Sequence, residues 1–158
     1  MSLAVATKPS LTLKRRINAA PAKVYQAWTD PEKMMRWYAP AGAETLAAET
    51  DARVGGRFRV LMRTTDGEEH DVSGVYREVV PDQKLVFTWQ WRSKPERESL
   101  VTVTLKRDGD ATILTLIHEQ LPEAAERDGH RTGWTGAIEK LAELFGGTAQ
   151  EMKSGRMN

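Results

Sequence analysis

Residues 128–145 read DGHRTGWTGAIEKLAELF, the longest helical pattern in the chain. Trp134, Ile138, Leu141 and Phe145 fall at i, i+4, i+7 and i+11, which is one continuous apolar stripe. Gly146-Gly147 supplies the stop. A helix with such a stripe must lay it on something apolar, so the fold is decided by what the rest of the chain offers.

It offers strands. GRFRVLMRTTDG (56–67) places Phe58, Val60 and Met62 on one face and Arg57, Arg59 and Arg63 on the other, then stops at Asp66-Gly67, a two-residue hairpin signal. EEHDVSGVYREVV (68–80) returns, with Val72, Gly74 and Tyr76 on one face. Pro81-Asp82 turns the chain into KLVFTWQWR, where Leu85, Phe87, Trp89 and Trp91 alternate with Val86, Thr88 and Gln90. LVTVTLKR (100–107) reaches a second Asp-Gly, residues 108–109, and ATILTLIHEQL (111–121) puts Leu114, Leu116 and His118 opposite Ile113, Thr115 and Ile117. Leu46–Thr50 adds a strand before Gly55-Gly56, and LTLKRRIN (11–18) is a strand at the start, about seven in all.

Two short helices follow the first strand. PAKVYQAWT (21–29) has proline at its first helical position and Val24, Ala27 and Trp28 at i, i+3, i+4. Asp30-Pro31 restarts a helix through Trp37, aspartate as N-cap and proline at N1, and Pro40 and Gly42 end it. The pattern is α+β, a curved antiparallel sheet gripping one long helix. Its other face, with Thr88, Gln90, Thr102, Thr104, Thr115 and the arginines, is expected to meet water. Residues 11–146 read as one domain, with a loose start (1–10) and a polar tail (147–158).

Composition narrows the function classes. The 158 residues carry 23 basic and 22 acidic side chains, a formal charge of +1, which argues against nucleic acid or an anionic membrane as partner. No cysteine is present, so there is no disulfide framework, thiolate metal site or cysteine nucleophile. No apolar run approaches the ~20 residues that span a bilayer, and the start shows no secretory signal, so the expected location is the cytoplasm. His70, His118 and His130 have no metal-binding spacing, Gly55-Gly56 is no phosphate loop, and no serine sits in GxSxG. No cofactor or metal is expected.

Five segments in order, AAPAKVYQAWTDPEKMMRWYAP, DARVGGRFRV, GVYREVVPDQKLVFTWQW, TILTLIHEQL and HRTGWTGAIEKLAELF, carry a further signal. Together they resemble the bacterial branch of the activator-of-heat-shock-protein-ATPase-like family, within the START and birch-pollen-allergen (SRPBCC) superfamily of helix-grip domains. That resemblance implies a cavity between sheet and long helix, with the two short helices plugging one end. Trp28, Trp37 and Tyr38 then belong to the plug and mouth. Phe58, Met62, Tyr76, Phe87, Trp89 and Trp91 belong to the sheet wall, and Trp134 and Ile138 to the helix wall. His118 is placed as an inward imidazole, either a general base or ligand anchor or a hydrogen-bonded part of the core. Packing alone also accounts for the tryptophans, and Gly133 and Gly136 beside Trp134 thin the helix either for close packing or for the approach of a ligand. Arg15 is expected to pair with a carboxylate such as Glu119 or to stand in solvent, with an anionic ligand as the other reading.

The favoured function is a binding module for a small apolar or aromatic ligand, without catalysis. The resemblance also implies a stress-response, co-chaperone-like alternative: eukaryotic relatives bind a chaperone through this domain and an additional amino-terminal one, which these residues do not include. Met34 and Met35 are the contact expected for it. A cyclase- or hydrolase-type enzyme is the third reading. A monomer or a homodimer fits each of them.

Overall fold

The computed structural model describes residues 8–146; residues 1–7 of the expected loose start (1–10) and the whole tail 147–158 lie outside it. Ten elements run in order: β1 (Leu11–Ile17), α1 (Pro21–Thr29), α2 (Pro31–Met34), β2 (Glu44–Thr50), β3 (Arg57–Arg63), β4 (Glu69–Val80), β5 (Lys84–Trp91), β6 (Lys94–Asp108), β7 (Ala111–Glu119) and α3 (Ala124–Leu144). The strands form one antiparallel sheet in the order β1-β7-β6-β5-β4-β3-β2. This is the helix-grip arrangement: a curved sheet around a long carboxy-terminal helix, with two short helices early in the chain. No helix among the described residues is long and apolar enough to cross a membrane.

Parity reads most of the sheet correctly. Phe58, Val60, Met62, Val72, Tyr76, Leu85, Phe87, Trp89, Leu114, Leu116 and His118 are buried on the concave face, and Arg57, Arg59 and Arg63 are exposed on the convex one. Convex arginines find carboxylates: Arg59 meets Asp71 at 2.8 Å and Glu49 at 3.6 Å, and Arg63 pairs with Glu44. Thr88 departs from expectation, because it is buried on the convex side and accepts from Val75 N at 2.8 Å. The cause lies opposite. A Cβ on Gly74 would come within 1.8 Å of Thr88 O, so β4 and β5 approach there more closely than side chains permit. A bulge between Tyr76 and Glu78 follows directly.

The turns depart in detail. Asp66-Gly67 is not a two-residue loop: Gly67 N donates to Thr64 O at 2.9 Å, Thr64 N to Glu68 O at 2.9 Å, and Gly67 has φ +86°, the three-residue turn-plus-bulge form. At the second Asp-Gly, Asp108 pairs with Ala111, so the loop is Gly109-Asp110, with Gly109 at φ +64°. β6 begins at Lys94, six residues before the apolar alternation, and α3 at Ala124 rather than Asp128. Residues 94–99 are polar and residues 124–127 precede the apolar stripe, so periodicity carries no trace of either segment. At the start of the chain, Asp30 caps α2 through Glu32 N at 3.0 Å, but the helix ends at Met34, short of Trp37.

Helix α3 buries Trp134, Ala137, Ile138, Leu141 and Ala142 in the grip of the sheet, and Phe145 only in part. Its back is tied down at three points. Arg15 of β1 meets Glu139 at 3.4 Å, not the expected Glu119. Lys140 Nζ donates to Pro40 O at 3.1 Å and Ala43 O at 3.2 Å, which pins the segment between α2 and β2. Gly136 lets that segment close in, since a Cβ there would lie 2.6 Å from Ala41 N.

Gly136→Ala is therefore expected to lower stability by ~1–3 kcal/mol through overpacking, although alanine is up to ~1 kcal/mol the better helix former. Gly129→Ala, whose Cβ meets nothing within 4 Å, is expected to raise stability by up to that ~1 kcal/mol. Urea denaturation of the two variants side by side checks both signs.

Candidate functional site

Between β5 and the first half of α3 the core does not close, and a cavity of about 310 Å³ remains. Trp89 and Trp91 of β5 and Met62 of β3 form its floor; Tyr38 and Pro40 form one side. The helix contributes Glu126, Gly129, His130, Gly133, Trp134 and Ala137. Residues 129, 133 and 137 follow one helical row, each four apart, and all are small. The space exists because this row of small residues stands over the large rings of β5.

The expected site residues divide by depth. Tyr38, Met62, Trp89, Trp91 and Trp134 line the cavity together. Trp28, Trp37, Phe58, Tyr76, Phe87, His118 and Ile138 lie behind that wall as packed core, each at most 3% exposed. Trp28 meets Trp37 edge-on with ring centroids 4.6 Å apart, and Trp37 Nε1 donates to Ala27 O at 2.9 Å, so Trp37 plugs the core instead of standing at the mouth. Tyr76 Oη is 2.7 Å from Thr50 Oγ1, and desolvation pushes the phenol up to about 12. Burial also raises Tyr38.

Two tryptophan–histidine pairs brace the wall. Trp134 Nε1 donates to His118 Nδ1 at 3.0 Å, and an indole N–H only donates, so Nδ1 is unprotonated and the proton sits on Nε2. That Nε2–H faces Ser99 Oγ at 2.7 Å, and Ser99 in turn reaches Trp89 O at 3.4 Å. Burial, helped by nearby His130, lowers the His118 pKa to about 2. Trp91 Nε1 likewise donates to His130 Nε2 at 3.2 Å, while His130 Nδ1 gives its proton to Glu126 O at 2.7 Å. Desolvation lowers the pKa of this ring too. The two imidazoles stand 4.6 Å apart, edge to face.

The mouth is ionic. Arg97, at the start of β6, pairs with Glu126 and meets Glu123 at 3.3 Å. Sequence reasoning did not find Pro40, Glu126, Gly129, His130, Gly133 or Ala137 as lining. The small-residue row at 129, 133 and 137 was the available signal for the helix side; His130 and Glu126 precede the apolar stripe and gave none.

Comparison with known proteins places these features in a family. Residues 18–146 match the family described as Activator of Hsp90 ATPase homolog 1-like protein. The human activator of 90 kDa heat shock protein ATPase homolog 1 is 30% identical over 139 residues, which is 86% of this chain and 37% of that protein. The chain thus spans little more than a third of the curated relative's length. The solved structure of the AHSA1 protein from Silicibacter pomeroyi superposes with a TM-score of 0.76 at 29% identity, covering 86% of this chain and 96% of that one. A Chromobacterium violaceum protein gives a TM-score of 0.76 at 27% identity over the same shares. Helix grip, element order and sequence agree, and the chain belongs to the Activator of Hsp90 ATPase homolog 1-like protein family.

Proposed function

We propose that this protein is a binding module that holds a small apolar or aromatic molecule in the cavity between β5 and α3. The family and fold support a ligand-binding or co-chaperone-like module in general. The cavity favours the first of these. Its volume of about 310 Å³ falls at the lower end of small-molecule sites, roughly 300–1,000 Å³, and its walls are mostly aromatic and aliphatic. The rings are held before any ligand arrives: Trp89 and Trp134 centroids lie 5.0 Å apart, and the N–H groups of Trp91 and Trp134 are fixed by histidines. Such preorganisation reduces the ordering cost of binding.

An enzymatic reading needs a base that a substrate can reach. His118 has both ring nitrogens committed inside the protein, and burial lowers its pKa. The co-chaperone reading rests on the relatives, and Met35, 38% exposed, is the apolar side chain near α2 that it would use.

The neutral fluorescent probe N-phenyl-1-naphthylamine is expected to bind one-to-one and quench tryptophan emission. Gly129→Leu, which extends a side chain from the row of small residues, is expected to weaken that binding by about tenfold or more without lowering the melting temperature, a change of ~1.4 kcal/mol. No uptake, or equal uptake by both proteins, refutes the cavity as the site. Trp134→Ala is the poorer test, since it also leaves His118 Nδ1 without its donor.

His118→Gln is expected to leave probe affinity within a few-fold, since the glutamine Oε1 can accept the Trp134 N–H in place of Nδ1 and a single hydrogen bond is worth ~0.5–1.5 kcal/mol. Its larger effect is on acid stability. The folded pKa lies below the ordinary 6.5, so in acid the unfolded chain binds the extra proton. The stabilisation is complete above 6.5 and is lost as pH falls toward about 2. Between pH 6 and 5 this residue should remove ~1.2 kcal/mol, a contribution the glutamine variant lacks while that of His130 remains.

In a coupled assay the protein is expected not to stimulate a bacterial Hsp90 ATPase at stoichiometric excess. A severalfold rise abolished by Met35→Glu would put the co-chaperone reading first.

A further inference from the structure

We infer that the cavity selects an organic cation, a molecule with an apolar body and a quaternary or tertiary ammonium group, over a neutral or anionic molecule of the same shape. The inference rests on the binding-module reading and adds the ligand's charge. Its basis is the set of polar groups that the cavity does and does not present.

Four aromatic side chains line the space, Tyr38, Trp89, Trp91 and Trp134, with neighbouring centroids 5.0–6.3 Å apart. The electropositive part of an indole is its N–H edge, and none of the three is offered to a ligand. Trp91 and Trp134 give theirs to His130 and His118, and Trp89 Nε1 is buried without a hydrogen bond among the described residues. What the indoles leave for a guest is the electron-rich ring, which attracts cations within about 6 Å of its centroid.

The charged groups point the same way. Glu126 is the one formally charged residue lining the cavity. Its Oε1 pairs with Arg97, and Arg97 also meets Glu123, so two carboxylates share one guanidinium. His130, the other titratable group of the helix wall, gives its Nδ1 proton to Glu126 O, and its Nε2 accepts from Trp91. Lys140 does not line the space, and its ammonium is bound to the carbonyls of Pro40 and Ala43. An anion entering here meets no cationic group, and only the Tyr38 hydroxyl as a donor. A cation meets rings and a carboxylate.

Benzyltrimethylammonium and neopentylbenzene test this directly, because they share a shape and differ in charge. Titration calorimetry on the full chain is expected to show the cation binding about tenfold more tightly or better. Glu126→Gln is expected to cut that preference several-fold and to leave neopentylbenzene unchanged. In the unaltered protein, added salt should weaken the cation and spare the hydrocarbon. Equal or tighter binding of neopentylbenzene overturns the inference while the binding module stands, and so does a preference untouched by both salt and Glu126→Gln. If neither probe binds, the binding-module reading fails, and this inference with it.

Discussion

Trp134 has to bury a large ring on the gripped face of α3 without stranding its N–H, and His118 Nδ1 on β7 accepts it at 3.0 Å. Much of the site follows from that bond. It sets the rotation of α3 over the sheet, since one residue of slip along the helix turns the indole away from β7. With the helix so turned, the small residues 129, 133 and 137 stand over β5, and the cavity opens between them and Trp89 and Trp91. The bond also fixes the His118 proton on Nε2, which reaches Ser99 and through it Trp89 O. Helix, β7, β6 and β5 are thereby linked through one polar chain inside an apolar core. Such a chain is stabilising only while every member is satisfied.

Much of this was legible in the sequence. Period two across residues 57–119 gave the faces of the strands correctly, and the stripe through Trp134 gave the helix and the face it buries. Alternation reports a face, though, and says nothing of depth. Phe87 and Trp89 share parity on β5, yet Phe87 is packed behind the wall and Trp89 is part of it. That difference depends on what α3 places opposite, and a missing side chain at 129 or 133 is harder to read than a present one. The glycines beside Trp134 have separate uses. Gly136 seats Ala41, and Gly133 faces both the cavity and Pro40 Cγ, 3.6 Å from where its Cβ would be.

Polar segments were the other blind spot. The start of β6 and the first turn of α3 have no apolar rhythm, and they meet each other through Arg97, Glu123 and Glu126. These are long-range ion pairs that no local pattern announces. Arg15 shows the same limit: its place on β1 was plain, but its partner proved to be Glu139, 124 residues on in an element that only folding brings near.

Glu139 and Lys140 are neighbours on α3, yet they hold opposite margins of the sheet: Glu139 takes Arg15 on edge strand β1, and Lys140 the segment leading into edge strand β2. An open sheet has thus been closed with a clasp, and the clasp is one residue wide. It makes the carboxy-terminal half of α3 a fulcrum. The opposite end is fastened by partly exposed ion pairs, which are weak and screened by salt. Salt is therefore expected to loosen the Glu126 end of the helix before it loosens either margin of the sheet.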